Sequence, residues 1–216
     1  MIKGVIFDFD GVIVDSEPLR YESYKKLFWD EFGVKLPDER KRILGRDQRE
    51  NLKYLLEMFG LECDVEELVE RRKIILKEIF SKKENIIPID GILDFLETLK
   101  KKRIKMAVAS SSSLEYLENI CDGLKIKDYF DCILSGEMVK KKKPNPDIFL
   151  LALEKLGLEK EECVVIEDSL SGIEAAKRAG IKCSGITSTL SEDELEDADF
   201  VFQDFEQDSI FKKFIF

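Results

Sequence analysis

The chain has 216 residues, of which 44% are hydrophobic and 37% are charged, and its formal net charge is −10 at pH 7. This length allows a sizeable buried core in one or two domains. The negative charge argues against a general nucleic-acid binder and against binding to anionic membranes. The chain contains no histidine, which excludes Ser-His-Asp triads, histidine-ligated zinc and imidazole acid–base catalysis.

Cysteine usage and hydropathy predict the compartment. Most of the five cysteines lie in apolar stretches and form no C-x-x-C pair, as expected of small buried side chains in a reducing environment. No apolar run reaches the length that spans a bilayer, and no signal peptide is recognisable. We therefore expect a cytoplasmic protein. The cysteines are Cys63, Cys121, Cys132, Cys163 and Cys183.

The first predicted element is a short strand that ends in two carboxylates. Val5-Ile6-Phe7 leads into Asp8-Phe9-Asp10-Gly11. Because side chains alternate faces along a strand, Asp8 and Asp10 are expected to point the same way. Two such carboxylates repel each other, which is costly unless a cation or a reaction needs them. An edge strand that runs into an Asp-Gly turn is the ordinary alternative.

The next part of the chain, to about residue 83, has helical apolar spacing. It predicts a helix from Leu19 to Phe32 that ends at Gly33, and two more helices over Leu52–Phe59 and Val65–Ile79. Asp64 is the predicted N-cap of the third helix. We expect this stretch, residues 15–86, to form a separate small helical domain.

Predicted helices and strands alternate in the remainder of the chain. This pattern is typical of an α/β fold with a parallel sheet covered by helices on both faces. The sheet domain is therefore expected to comprise residues 1–14 and 87–216. Its predicted helices are Ile92–Lys100, Leu114–Leu124, Pro146–Leu156, Ser171–Ala179 and a C-terminal helix, and its later strands are Lys105–Ala109, Cys132–Leu134, Cys163–Ile166, Lys182–Ile186 and Phe200–Phe202.

Polar residues follow several of these strands. Ser110, Lys143 and the pair Glu167-Asp168 each come after a predicted strand, and the carboxyl ends of parallel strands share one edge of a sheet. Each has an ordinary explanation by itself: a helix N-cap loop for Ser110, a solvated charge run for Lys143, and a cap of the next helix for Glu167-Asp168. Their joint placement instead favours a functional site that also includes Asp8.

These motifs, taken in order, resemble those of the haloacid dehalogenase superfamily. Two extended segments are more specifically similar to the β-phosphoglucomutase-like phosphatases, which carry a helical cap domain. The matching motifs are Phe7-Asp8-Phe9-Asp10-Gly11-Val12, Ala109-Ser110, Lys143-Pro144-Asn145-Pro146-Asp147-Ile148-Phe149 and Glu167-Asp168-Ser169 through Gly172-Ile173-Glu174-Ala175-Ala176. The resemblance implies a Rossmann-like, doubly wound parallel sheet core with an inserted helical cap.

The resemblance also implies a metal-dependent phosphoryl transfer. Asp8 would be the nucleophile that forms an aspartyl-phosphate. A Mg²⁺ ion held by Asp8, the backbone carbonyl of Asp10 and Asp168 would cancel charge, with Glu167 orienting its water shell. Asp10 would protonate the leaving alcohol and then deprotonate the attacking water.

Further residues are implied to bind the substrate. Lys143 would neutralise the nucleophile and a phosphoryl oxygen, and Ser110 with the neighbouring Ser111 would hold the phosphoryl group. In the helical domain, Gly45-Arg46-Asp47-Gln48-Arg49 resembles the family's substrate loop, and Arg49 matches the position for a distal phosphate. A solvated arginine at a helix start is the alternative. Arg20 stands where the mutases have a histidine, and it could bind an anion.

Three functions are compared on these residues. The leading expectation is a monomeric Mg²⁺-dependent phosphatase of small phosphorylated metabolites, with no nucleic-acid or membrane partner. The second is a sugar-phosphate mutase, which the arginine at position 20 disfavours. The third is a phospho-aspartate receiver domain, which needs its acceptor on a middle strand and lacks a helical insertion. Arg72 is a weaker candidate than Arg49 for the distal phosphate, and it is interpreted as a surface residue.

Overall fold

The computed structural model describes residues 1–37, 48–80, 82 and 86–206, and the chain divides into two compact units. The sheet unit comprises Met1–Asp15 and Ile86–Phe216, and the helical unit comprises Ser16–Asn85. The predicted C-terminal helix lies outside the described residues. In the described part of the chain, no helix is long and apolar enough to cross a membrane.

Within the described residues, the sheet unit has six strands, β1 (Gly4–Phe7), β2 (Lys105–Ser110), β3 (Cys132–Ser135), β4 (Cys163–Glu167), β5 (Lys182–Ile186) and β6 (Phe200–Phe202). They form one parallel sheet in the order β3-β2-β1-β4-β5-β6. The chain builds outward from β1 in both directions, which is a doubly wound arrangement. The predicted α/β fold class is thereby confirmed.

The described α-helices agree with the predicted ones to within a few residues. The helix after the third strand starts one residue later than predicted, because Pro146 is its N-cap and not its first helical residue. The helices are α1 (Glu17–Phe32), α2 (Gln48–Phe59), α3 (Val65–Phe80), α4 (Ile92–Lys101), α5 (Leu114–Leu124), α6 (Asp147–Leu156) and α7 (Leu170–Ala179).

The central strands are apolar on both faces because helices cover the sheet on both sides. Every residue of β1 and β4 is buried, and Ile6 and Val165 belong to a core cluster that also includes Phe149 of α6 and Ile173 of α7. These buried strands cannot shift register without moving large side chains out of the core. The ends of β1, β2 and β4 therefore have fixed positions relative to one another.

The helical unit has a core of its own. Apolar side chains at helical spacing, including Phe28 of α1, Leu55 of α2 and Leu68 of α3, are fully buried against each other. Helix α1 ends as predicted at Gly33, whose φ of 64° places it in the left-handed region that glycine adopts without strain. Asp64 accepts a hydrogen bond from the amide of Glu66 at 2.8 Å, as a helix cap does.

The interpretation of Arg72 as a surface residue is wrong. Its side chain is buried in the helical unit, and its guanidinium lies 3.7 Å from the centre of the Tyr24 ring. It donates hydrogen bonds to Ser23 Oγ at 2.9 Å, Gln48 Oε1 at 3.0 Å and the carbonyl of Arg20 at 3.2 Å. Burial lowers the pKa of Arg72 to about 10. The groups that hold this cation are neutral oxygens and the face of an aromatic ring.

Candidate active site

The candidate site lies at the carboxyl ends of three adjacent strands. Phe7 at the end of β1 pairs with Val108 of β2 on one side and Ile166 of β4 on the other. The polar groups that the sequence singles out follow these residues by one or two positions, namely Asp8, Ser110 and Glu167. Since ligands of open α/β sheets bind at this edge, the topology by itself identifies the site.

Lys143 lies at the centre of the polar cluster. Its ammonium donates hydrogen bonds to Asp8 Oδ1 at 2.5 Å, to Glu167 Oε1 at 2.5 Å and to the carbonyl of Ala109 at 3.0 Å. The neighbouring Lys142 is exposed, whereas the Lys143 side chain is only 4% exposed. The lysine run is therefore not a uniformly solvated segment, since its last member is buried between two carboxylates.

Glu167 is held through both carboxylate oxygens. Oε1 accepts from Lys143, and Oε2 accepts from the amides of Asp168 at 3.0 Å and Ser169 at 3.1 Å and from Ser169 Oγ at 2.9 Å. Gly172 makes room for this carboxylate, because a Cβ at position 172 would lie 1.8 Å from Glu167 Oε1. Glu167 is thus a fixed acceptor that orients Lys143 and the start of α7.

Asp168 is the second carboxylate at the end of β4. Its Oδ2 accepts a hydrogen bond from the hydroxyl of Thr189, which follows β5. Gly11 packs directly against it, since a Cβ at position 11 would lie 1.9 Å from Asp168 Oδ2. Gly11 also has a φ of 82°, which other residues rarely adopt. The glycine after the two aspartates is therefore required by both backbone conformation and space.

Three buried carboxylates share this site. Asp8, Glu167 and Asp168 offer oxygen atoms that lie within 4.8 Å of one another. Burial, with Glu167 and Asp10 nearby, raises the pKa of Asp8 to about 7, although Lys143 acts in the opposite direction. Burial and the charges of Glu167 and Asp8 also raise the pKa of Asp168. Burial disfavours the charged form of Lys143, yet Asp8 and Glu167 raise its pKa.

The charge of this cluster is suited to a divalent cation. One ammonium faces three carboxylates when all are ionised, so negative charge is in excess where water is largely excluded. The donors are carboxylate oxygens, which are the ligands that Mg²⁺ prefers. The residues present therefore fit a magnesium ion.

The Asp10 carboxylate accepts hydrogen bonds from two hydroxyl groups. Its Oδ2 accepts a hydrogen bond from Ser112 Oγ at 2.7 Å, and its Oδ1 accepts one from the Tyr116 hydroxyl at 2.7 Å. Ser110 Oγ accepts a hydrogen bond from the Ser112 amide at 3.1 Å, and Ser111 is exposed. The serine loop after β2 thus contacts Asp10 and also presents hydroxyls at the sheet edge.

Arg20 and Arg49 belong to the helical unit. Arg20 Nε donates to Ser16 Oγ at 3.1 Å and lies 3.9 Å from Glu17 Oε1. Arg49 forms a bidentate ion pair with Glu66, with distances of 2.6 and 2.9 Å, and both side chains are more than half exposed. The part of the predicted substrate loop that precedes residue 48 lies outside the described residues.

Sequence reasoning missed three hydroxyls of the site. Thr189 follows β5, so the rule that polar residues after parallel strands converge could have found it. Ser112 belongs to the serine run that was singled out for Ser110. Tyr116 carries no such signal, because nothing in the local sequence shows which face of α5 it occupies relative to Asp10.

Comparison with known proteins identifies the family of the chain. A family model described as haloacid dehalogenase-like hydrolase matches residues 5–186. A Thermotoga maritima protein named phosphorylated carbohydrates phosphatase is 40% identical over 195 residues, which cover 88% of each chain. The β-phosphoglucomutase of Bacillus subtilis is 33% identical over 195 residues, which cover 86% of this chain and 83% of that one.

A solved structure agrees with the sequence comparison. CbbY from Rhodobacter sphaeroides, crystallised in complex with phosphate, superimposes with a TM-score of 0.76 at 27% identity and covers 96% of each chain. The family match spans all four motifs at the carboxyl edge of the sheet. The chain therefore belongs to the haloacid dehalogenase-like hydrolase family, within which it is a phosphatase of the β-phosphoglucomutase-like group.

Proposed function

We propose that this phosphatase hydrolyses sugar or polyol phosphates with Mg²⁺, through an aspartyl-phosphate formed on Asp8. The observation that carries the proposal is the buried pair of Asp8 and Lys143, with Nζ 2.5 Å from Oδ1, beside the carboxylate of Asp168. In the proposed first step, an Asp8 oxygen attacks phosphorus as the bond from phosphorus to the alcohol oxygen breaks. In the second step, water attacks phosphorus and releases phosphate and the Asp8 carboxylate.

Charge compensation supports this chemistry. A dianionic phosphate would be repelled by the three carboxylates, so Lys143 alone does not suffice. Asp8, Asp168 and the Asp10 carbonyl would hold the Mg²⁺ ion, and Glu167 would support its hydration shell. When bound, the ion neutralises charge on the phosphoryl oxygens. Lys143 contributes a second positive charge through its hydrogen bond to Asp8 Oδ1.

The remaining core residues have separate roles in this proposal. Ser110 accepts a hydrogen bond from the Ser112 amide at 3.1 Å, so its hydroxyl proton can be donated to a phosphoryl oxygen. Ser111, next to it, would contribute to the same phosphoryl site. Asp10 would give a proton to the departing alcohol oxygen and take one from the attacking water. Its two carboxylate oxygens accept hydrogen bonds from Ser112 and Tyr116, which is consistent with a role other than metal ligation through the carboxylate.

The substrate class rests on the relatives and on the helical unit. A relative of 40% identity is named for phosphorylated carbohydrates, and we propose the same class here. Arg49 would bind a second anionic group of such a substrate, and Arg20 would also contact it. A sugar-phosphate mutase is the second candidate, because a β-phosphoglucomutase is 33% identical.

Arg20 argues for hydrolysis over the mutase reaction. The mutases have a histidine at this position, and a guanidinium cannot exchange protons near neutral pH. The receiver alternative has no support, since Asp8 follows the first strand of the chain. A helical unit, which has a core of its own, is inserted after that strand.

One assay separates the two candidates. The enzyme is supplied with Mg²⁺ and a panel of sugar and polyol phosphates, and β-glucose 1-phosphate is tested with and without glucose 1,6-bisphosphate. We expect phosphate release that does not depend on the bisphosphate. Glucose 6-phosphate formed only with the bisphosphate, with little free phosphate, would identify a mutase. Turnover that survives EDTA would contradict the proposed metal requirement.

We also propose that the enzyme is a cytoplasmic monomer that binds neither nucleic acid nor membranes. The formal net charge of −10 supports the absence of such anionic partners. Light scattering coupled to size exclusion tests the oligomeric state, and a mass of two chains would contradict the proposal.

A further inference from the structure

The Asp10 carboxylate is held at both oxygens by two side chains that follow β2. Tyr116 donates its hydroxyl proton to Oδ1 at 2.7 Å, and Ser112 donates to Oδ2 at 2.7 Å. These donors lie 106 and 102 residues away in the chain. The side chain of Asp10 has rotational freedom in χ1 and χ2, and two hydrogen bonds from fixed donors select one orientation.

Tyr116 is itself fixed from two directions. It lies in the first turn of α5, where its amide donates to Oγ of the N-cap residue Ser113 at 3.4 Å. Its ring packs edge to face against Phe9, with centroids 5.9 Å apart and an interplanar angle of 81°. Phe9 is fully buried and directly precedes Asp10. The position of the Tyr116 hydroxyl is therefore tied to the segment that carries Asp10.

The loop that carries Ser112 is braced by the end of β3. Ser135 Oγ donates to the carbonyl of Ser112 at 2.7 Å, and Glu137 Oε2 accepts from the amide of Leu114 at 3.1 Å. Gly136 lies against the same loop, since a Cβ at position 136 would be 3.0 Å from the carbonyl oxygen of Ser111. The loop is thus held to the sheet on the side opposite Asp10.

We propose that Tyr116 is a positioning residue, which sets the orientation of Asp10 for proton transfer to the leaving alcohol. This inference rests on the proposed function, in which the proton passes from the Asp10 carboxyl to the alcohol oxygen as the P–O bond breaks, leaving the carboxylate. A hydroxyl can donate to a carboxylate and accept from a carboxylic acid, so the contact persists through the transfer. A carboxyl oxygen has two lone-pair positions, so accepting a hydrogen bond from a hydroxyl does not by itself prevent it from carrying a proton.

The test compares leaving groups that differ in their need for a proton. One substrate is an alkyl phosphate, such as a sugar phosphate that the enzyme hydrolyses. Its leaving group departs as a basic alkoxide unless an acid protonates it. The nitrophenolate of p-nitrophenyl phosphate departs without that help. The value of kcat/KM reports the first step for both substrates. A residue that orients the acid therefore affects the alkyl substrate more than the aryl one.

The expected result is a selective loss in the variant Tyr116→Phe. Its kcat/KM should fall about tenfold more on the alkyl phosphate than on the aryl phosphate, since general acid catalysis contributes about 10²–10⁴ in rate. Asp10→Asn should show the same selectivity to a larger extent. Tyr129→Phe is the matched control, because its hydroxyl donates to Glu97 at 2.9 Å on the surface of the sheet unit. This control should leave kcat/KM unchanged for both substrates.

The outcomes distinguish the inference from the proposed function. If Asp10→Asn is selective and Tyr116→Phe is not, the positioning role is overturned while the proposed function stands. If Asp10→Asn lowers kcat/KM equally for both substrates, the acid–base role of Asp10 fails, and the inference fails with it. Thermal unfolding of each variant with Mg²⁺ shows whether its fold is weakened. An equal loss of kcat/KM on both substrates in Tyr116→Phe, with or without a weakened fold, would contradict the inference.

Discussion

Lys143 and Glu167 form a buried ion pair, with Nζ 2.5 Å from Oε1, although 24 residues separate them in the chain. Their side chains are 4% and 1% exposed. A buried charge is stable only when an opposite charge or several hydrogen bonds compensate it. This pair therefore connects the loop after β3 to the end of β4, and Asp8 is bound to the same ammonium.

Removing the ammonium should have a large effect. We expect Lys143→Met to abolish turnover and to lower the free energy of unfolding by about 3–5 kcal/mol, because Asp8 and Glu167 lose their shared cation. Urea denaturation and the phosphate-release assay measure the two effects. Lys142→Met is the matched control, since Lys142 is exposed. A stable, active Lys143→Met enzyme would show that the ion pair is dispensable.

The proposed nucleophile, Asp8, can be removed without removing its hydrogen bond to Lys143. In Asp8→Asn, the amide oxygen can still accept from Lys143, but it cannot attack phosphorus. We expect no turnover and no loss of thermal stability, because a buried charge disappears with the carboxylate. Asp94→Asn, at an exposed position of α4, should keep full activity. Undiminished turnover of Asp8→Asn would assign the nucleophile to another residue.

The stability of the metal-free protein should depend on pH. The pKa of Asp8 is about 7 in the folded protein and ordinarily 3.8, so the folded state holds the proton more tightly than the unfolded one. Its contribution to stability is complete below about pH 3.8 and is lost as the pH rises through about 7. The raised pKa of Asp168 has the same sign. The metal-free protein should therefore lose stability over this range.

Mg²⁺ should reverse that loss, because it binds ionised carboxylates and competes with protons. We expect the increase in Tm on adding Mg²⁺ to EDTA-treated protein to be larger at pH 8 than at pH 5. Differential scanning fluorimetry measures it. Asp168→Asn should reduce the increase at pH 8. An equal increase at both pH values would mean that Mg²⁺ binds outside this carboxylate cluster.

A methyl group at position 11 should damage the site. Gly11 has a φ of 82°, and a Cβ there would lie 1.9 Å from Asp168 Oδ2. Gly11→Ala is therefore expected to weaken Mg²⁺ binding and turnover by more than tenfold, in addition to a backbone cost of about 1 kcal/mol. Gly33→Ala separates the two effects, since Gly33 has a φ of 64° and nothing within 4 Å of its Cβ position. If both variants bind Mg²⁺ equally, steric contact with Asp168 is not important.

The ion pair of Arg49 and Glu66 allows a test of substrate binding in the helical unit. Arg49→Ala should raise KM for substrates with a second anionic group more than for those without one. Glu66→Gln removes the carboxylate that Arg49 contacts at 2.6 Å, so it should lower KM for the same substrates. Steady-state kinetics on a sugar monophosphate and a bisphosphate measure both effects. Equal changes on both substrates would assign Arg49 to the surface of the helical unit.

The fold and the centre of the site were predictable from sequence for a specific reason. Parallel strands place their carboxyl ends at one edge, so Asp8, Ser110 and Glu167 could be brought together from strand assignments alone. Apolar periodicity also gave the helices, because buried faces repeat at a fixed interval. These inferences depend only on local pattern and on a general rule of topology.

The contacts that were not predicted depend on packing between distant elements. Arg72 carries a charge, and charge normally indicates the surface, but the Tyr24 ring and neutral oxygens compensate it inside the helical unit. Tyr116 reaches Asp10 across 106 residues, and its rotation about α5 follows from how that helix packs on the sheet. Sequence periodicity identifies a buried face but does not identify the residue that it meets.

The position of β1 in the middle of the sheet has a consequence for assembly. Gly4 pairs with Lys105 on one side and with Cys163 on the other, so the strand that leads to Asp8 is made long before either neighbour. During synthesis, the strand that leads to Asp8 can pair only with β2 until β4 emerges. The helical unit is continuous in sequence and has its own core, and it has no such dependence. A nascent chain that stops before β4 therefore has neither Asp168 nor a closed core, and it cannot carry out the reaction prematurely.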